Sequence, residues 1–478
     1  MEQIIRSRIL MGRDFLRSHT TLATGLVVFS LLCGIGFWYF PPLLVLAVAG
    51  LLILGFLMIH YPLLGILAYL VIEYARVPAM YPPLQVLQIG KIVVIVTGLI
   101  WVVRSVLDRR MKLVSDPLNW IMVIWALIVV GSSFFAIDSK FAHQGMIDFL
   151  KWVVIYFLII NLVDTLPKWQ YFMWALLLLS FKLSQFQIRQ FIAGYEMASG
   201  ADRFVTEGVG AGSTGFFGNA GDFGVAMCVV APLAFYLVKA VKSKALKAAG
   251  IAIFSAFVFS ILRCGSRGAA LALSVMALLF WMRTSKKLAS GVLILLFVLG
   301  FWASAPEAWR ERFVSASDYQ QDVTASQRLR LWGAGLRMVA DNPVLGVGIN
   351  NFSTNYALRY HAAGEEGLRW APHNIFVQAA SELGVLGLLA LFVVIYLVFQ
   401  RDFETRRVCL EKNLENGWIP NFAHALDLSL VGYIVGGFFL TVLYYPHLYI
   451  IMTLAISLNQ IARRQAAAQI EPMEGGDR

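Results

Sequence analysis

The chain is 478 residues long, 59% hydrophobic and 14% charged, with a mean hydropathy of +0.72. No soluble globular domain has that balance. Its formal net charge of +11 comes from Lys and Arg scattered between apolar runs with no groove-reading motif, which excludes nucleic acid as a partner and makes the lipid bilayer the expected surroundings.

A membrane-crossing helix needs roughly 20 apolar residues. About 14 runs qualify, centred near residues 30, 51, 68, 97, 127, 156, 177, 230, 255, 275, 296, 391, 432 and 453. The run Leu63 to Tyr74 is short, and the one near 177 is interrupted by Lys182 and Gln185. The expected fold is therefore all-α, a polytopic integral membrane protein of about 12–14 transmembrane helices. The first run follows arginines, as in a signal peptide. Phe37-Trp38-Tyr39-Phe40-Pro41-Pro42 offers no small-residue cleavage site, so an uncleaved first span is expected.

Positive loops stay cytoplasmic. With the N-terminus inside, Arg6, Arg8, Arg13 and Arg17 fall on the same side as Arg104, Arg109, Arg110 and Lys112, then Lys239, Lys242, Lys244 and Lys247. Arg283, Lys286 and Lys287, then Arg401, Arg406, Arg407 and Lys412, then Arg463 and Arg464 complete the set. This implies an even number of spans and both termini inside. Lys151 and Lys182 are the basic residues that fall well within spans. Cys33, Cys228, Cys264 and Cys409 show neither disulfide pairing nor zinc spacing.

Three regions carry more than connection. Phe191 to Asp222 faces outward and contains Gly208-Val209-Gly210-Ala211-Gly212-Ser213-Thr214-Gly215. It is either a glycine-rich backbone that offers N–H groups to an anion or a flexible re-entrant turn; the spacing is no phosphate-loop fingerprint. Arg267, in Cys264-Gly265-Ser266-Arg267-Gly268, opens a span, either as a snorkelling helix-end arginine or as a bidentate phosphate clamp.

The third region is the polar stretch 305–372, outward-facing and locally neutral. Leu329, Trp332, Leu336 and Val339 at helical spacing predict an amphipathic helix over Ala325 to Ala340, lying on the membrane face. Asp341-Asn342-Pro343 stops it, and Gly346 and Gly348 make the following turn. Arg328 sits one turn before Trp332, as a solvated charge or an anion ligand; Arg330 points to another face. His373 follows Pro372 and is expected in the first turn of a helix starting near Ile375, where the positive helix end favours neutral imidazole. It is either a capping residue or a base for hydroxyl activation. Glu382 falls nearly opposite His373 on a continuous helix, so the two do not form a dyad. His447, after Pro446, has only a packing role.

Taken in order, Ser266-Arg267-Gly268, Arg328-x-x-x-Trp332, Asn342-Pro343-x-x-Gly346-x-Gly348-x-Asn350-x-Phe352 and His373-Asn374-x-x-x-Gln378-x-x-x-Glu382-x-Gly384-x-x-Gly387 resemble the O-antigen ligase/polymerase superfamily over about residues 204–400. Asn219, in Asn219-Ala220-Gly221-Asp222, resembles that family's Asn before a span.

The resemblance implies a multi-pass glycosyltransferase of the GT-C type in the bacterial inner membrane, with its long loop periplasmic. Such enzymes move a glycan from undecaprenyl diphosphate to an acceptor hydroxyl, on a lipid A–core sugar or a growing glycan, with no cofactor, metal or nucleotide sugar. By the same resemblance Arg267 and Arg328 hold the diphosphate, and His373 orients or deprotonates the acceptor. Asn219, Trp332, Asn374, Glu382 and Arg330 become substrate contacts. Ligase or polymerase is favoured over protein glycosylation, because the tail after Arg464 is short and polar. The expected divisions are 1–200, N-terminal spans; 201–304, spans with the glycine-rich loop and Arg267; 305–372, the loop; 373–465, C-terminal spans; and 466–478, a cytoplasmic tail.

Two other classes compete. A transporter or flippase for lipid-linked glycan predicts inverted repeats, of which the sequence shows none convincing. An intramembrane serine protease built on Ser213 and His373 leaves the arginines without a role.

Overall fold

The computed structural model describes residues 41–75, 88–107, 113–192, 220–304, 323–414 and 417–468, with a few positions between 30 and 39. The expected span near 30, the arginines before it, Cys33, the glycine-rich run with Ser213 and Asn219, and residues 305–322 lie outside the described residues.

Among the described residues all regular structure is helical. In chain order the helices are α1 (Pro42–His60), α2 (Leu63–Ala75), α3 (Ile89–Leu107), α4 (Pro117–Ser133), α5 (Ser139–Leu162), α6 (Leu166–Ile192), α7 (Ala220–Ala240) and α8 (Lys244–Arg263). Then come α9 (Arg267–Arg283), α10 (Lys287–Ser304), α11 (Val323–Asp341), the short α12 (Phe352–Asn355) with a π-helical turn Tyr356–Tyr360, α13 (Ile375–Glu411), α14 (Trp418–Gly437) and α15 (Pro446–Ala468). Five, namely α3, α5, α7, α8 and α13, are long and apolar enough to cross a membrane; α1, α2, α4 and α10 contain shorter apolar stretches. Every expected span centre from 51 onward falls on a helix, and the chain is a polytopic all-α membrane protein.

Contacts divide the chain into two units, 1–65 and 66–478. In the first, α1 is an apolar helix opened by Pro42 at its first position, where the missing N–H costs nothing. In the second, polar caps start the helices. Asp116 accepts the Leu118 N–H at 2.9 Å to start α4, and Ser266 accepts that of Ala269 at 3.3 Å to start α9. These caps satisfy N–H groups that a helix start leaves open. Helix α14 is the central partner, packed on α7, α9, α13 and α15. A Cβ added at Gly436 would stand 2.3 Å from Val225, and one at Gly432 would stand 2.7 Å from the Met276 sulfur. Small residues let membrane helices approach this closely.

Ion pairs gather at one end of this unit. Asp427 receives Arg406 at 2.7 Å and Arg283 at 3.4 Å. Arg401 pairs with Asp116 at 3.0 Å, and Arg463 with Glu404 at 2.9 Å. The start of α9, all of α11 and the start of α13 lie away from this cluster.

Helix α13 is not continuous. Gly384 takes φ +70° and ψ −170°, breaking the helix inside its apolar length. The Asn342–Gly348 turn closes the gap. Val347 N–H bonds the Ser381 carbonyl at 2.8 Å, Gly348 N–H that of Glu382 at 3.0 Å, and Val385 N–H that of Pro343 at 2.8 Å. Irregular backbone survives at membrane depth only when its polar groups are satisfied within the protein.

Candidate active site

Helix α11 forms where the sequence pattern placed it and ends at Asp341, but its faces are turned. Leu331, Ala334 and Met338 are fully buried against Val347, Phe352 and Tyr356, whereas Leu329 and Leu336 are 47% and 66% exposed. The expected stripe of Leu329, Trp332, Leu336 and Val339 is thus split, because the turn after the helix folds back and covers the Leu331 side. Helix α11 has two apolar faces, one for the protein and one left open.

Trp332 reaches the α13 start. Its indole N–H donates to the Pro372 carbonyl at 3.0 Å, and its ring meets Phe438 edge-on with centroids 5.4 Å apart. Arg328, half-buried one turn earlier, lies over the Phe439 ring at 5.9 Å. Arg330 is exposed and pairs with Glu365 at 3.0 Å. Glu365 also accepts from the Tyr356 hydroxyl, so Arg330 serves to tie the 361–372 loop to α11.

His373 stands one residue earlier than expected. Asn374 is the N-cap of α13, its Oδ1 accepting from Phe376 N–H at 2.8 Å and Val377 N–H at 3.1 Å. His373 therefore precedes the helix, with φ +48° in the left-handed region and its own N–H donating to Thr441 Oγ1 at 2.9 Å. Its pKa is lowered from the usual 6.5 to about 4, first by burial and then by the Arg328 charge. The neutral imidazole expected from the sequence results, with burial first and the Arg328 charge second among its causes.

Glu382 is buried beneath this corner. It accepts the Phe352 N–H at 3.2 Å and lies 3.4 Å from the Gln378 amide nitrogen, with the Tyr444 hydroxyl beside it. Those contacts hold the protein to itself. Arg267 opens α9 half-buried, and the next residue, Gly268, packs so closely that an added Cβ would meet Phe439 at 3.1 Å.

One segment joins all of this and carried no signal in the sequence: the turn 438–445 between α14 and α15. Phe438 meets Trp332. Phe439 lies under Arg328 and against Gly268. Thr441 receives His373, Leu443 N–H donates to Gln378 Oε1 at 3.3 Å, and the Tyr445 hydroxyl donates to Asp222 at 2.9 Å. Arg328, His373 and the start of α9 at Gly268, separate in sequence, thus meet on one turn. Such a corner can bind an anion at the Arg328 guanidinium and present a neutral nitrogen acceptor beside it.

The family model described as O-antigen ligase matches residues 251–392, a stretch that holds all three of these residues and ends before the 438–445 turn. A search of curated proteins finds no match.

Proposed function

From the match of the O-antigen ligase family model to residues 251–392, we propose that the chain transfers a glycan from undecaprenyl diphosphate to an acceptor sugar hydroxyl, as an O-antigen ligase or polysaccharide polymerase. The family acts in glycan transfer during O-antigen assembly; the donor, the roles below and the orientation are this reading's own. The observation that carries it is the meeting of Arg328, His373 and the start of α9, next to Arg267, on the 438–445 turn.

The mechanism follows from charge. Arg328 and Arg267 hold the donor diphosphate and stabilise the negative charge that grows on it as the glycosyl bond breaks, a contribution that is often the largest in catalysis. His373 accepts a hydrogen bond from the acceptor hydroxyl and takes its proton as oxygen attacks the anomeric carbon in line, with inversion. A free-site pKa of about 4 makes His373 a weak base. A diphosphate bound at Arg328 offsets the cationic repulsion that lowers it, so donor binding strengthens the base when it is needed.

The ion pairs at the far end join several of the Lys/Arg clusters expected inside, which supports a cytoplasmic far end and a periplasmic site in the bacterial inner membrane. The exposed Leu329 and Leu336 face suits a helix at the outer leaflet, where both lipid-linked substrates arrive. The broken α13 does not favour a transporter, because the 343–348 turn satisfies the backbone groups at the break.

The test is transfer by purified protein from undecaprenyl-diphosphate-linked glycan to lipid A–core or glycan acceptors. His373→Ala and Arg267→Ala should each abolish release of undecaprenyl diphosphate and capping of the acceptor. Wild-type activity in both variants, or passage of intact lipid-linked glycan across liposomes instead, would overturn the proposal.

A further inference from the structure

We propose that Thr441 is a positioning residue for transfer, its hydroxyl fixing the main chain that aims the His373 imidazole; this rests on the glycan-transfer reading above. A non-glycine residue at φ +48° is disfavoured by its Cβ and persists only where the surroundings over-determine it. Here they do so from both sides and from the middle. The Pro372 carbonyl before it is held by Trp332, and Asn374 after it is committed to capping α13. Between them, the His373 N–H, which lies outside the helix and has no helical acceptor, goes to Thr441 Oγ1 at 2.9 Å.

The chemistry of residue 441 fits that task. It sits among Phe438, Phe439, Leu440, Val442 and Leu443, where valine would match its shape and branching and lack only the acceptor. Without the hydroxyl, His373 loses the tie that holds its backbone in the left-handed region, and the ring can swing while the fold stays intact. Phe439 on the same turn lies under Arg328, so the base and the anion-binding guanidinium are referenced to one short segment. A misplacement of about 1 Å at a reacting group can cost about 100-fold in rate.

The experiment compares Thr441→Val, Thr441→Ser and Thr441→Ala with wild type in the transfer assay, measuring kcat, the KM for undecaprenyl-diphosphate-linked glycan, the pH profile and the apparent melting temperature. Valine and alanine should lower kcat by about 10- to 100-fold, leave donor KM within about threefold, and shift the acid limb that reports His373. Serine should restore transfer to within about threefold of wild type. Wild-type kcat in the valine variant overturns the inference, as does equal impairment of valine and serine, or a loss confined to donor KM. If the valine protein does not fold, the alanine and serine variants decide by the same contrast. His373→Ala with full transfer would instead remove the mechanism beneath both proposals.

Discussion

Gly384→Ala tests the joint that carries the site. Gly384 has φ +70° and ψ −170°, a region that is essentially glycine's alone and costs another residue about 1–3 kcal/mol. An added Cβ would stand 2.2 Å from the Val344 carbonyl oxygen and 2.7 Å from the Leu345 nitrogen. Those are backbone atoms that no rotamer change can move. Relief requires the 343–348 turn to separate from α13, which breaks the Val347–Ser381, Gly348–Glu382 and Val385–Pro343 hydrogen bonds. At about 0.5–1.5 kcal/mol each, these add roughly 1.5–4.5 kcal/mol, for a total of about 3–7 kcal/mol. The assay is the apparent melting temperature in one fixed detergent, together with transfer activity. Gly333→Ala is the control, since its Cβ would meet nothing closer than Arg337 at 3.9 Å and should stabilise α11 by about 0.5–1 kcal/mol. If Gly384→Ala melts with wild type and transfers normally, the break in α13 is not held as described and the reasoning fails.

Three further outcomes are expected. The acid limb of kcat/KM for free enzyme should fall near pH 4 rather than 6.5, because burial and Arg328 keep His373 neutral; Arg328→Ala, if residual activity permits measurement, should raise that limb while burial holds it below 6.5. The same shift lowers the folded pKa of a cation-forming group, so His373 weakens the fold as pH drops from about 6.5 to 4 and adds nothing further below that, which His373→Gln should abolish in a stability–pH series. Trp332→Phe keeps the ring contact with Phe438 but loses the bond to the Pro372 carbonyl, and should cut kcat about 10-fold. Arg330→Ala removes an exposed pair worth about 0–1 kcal/mol and should change transfer less than threefold; an effect as large as that of Arg328→Ala would make Arg330 a ligand.

The local signals in the sequence read well. Asp341-Asn342-Pro343 ended α11 as expected, α13 began at Ile375 as expected, and the glycines at 346 and 348 made a turn with φ +66° and +97°. What failed was what depends on distant partners. The inner face of α11 is set by Val347, Phe352 and Tyr356 folding back over it, which a helical period cannot reveal. The helix start at Ile375 was legible, but His373 was counted into its first turn, whereas it precedes the N-cap with a left-handed φ, its N–H tied to the distant Thr441. The 438–445 turn escaped notice for the same reason. Its apolar and aromatic residues look like the margin of a span, and its partners are 68 residues away for His373 and 223 for Asp222.

That turn also fixes an order of events during biosynthesis. A ribosome delivers Arg267, Arg328 and His373 well before Phe438, so a nascent chain paused after α13 holds every charged group of the site with nothing to join them. The 438–445 connection can dock only once α14 and α15 have been made. Long-range closures of this kind are slow relative to helix formation. A chain that ends after α13 therefore keeps these side chains and lacks the turn on which their segments meet.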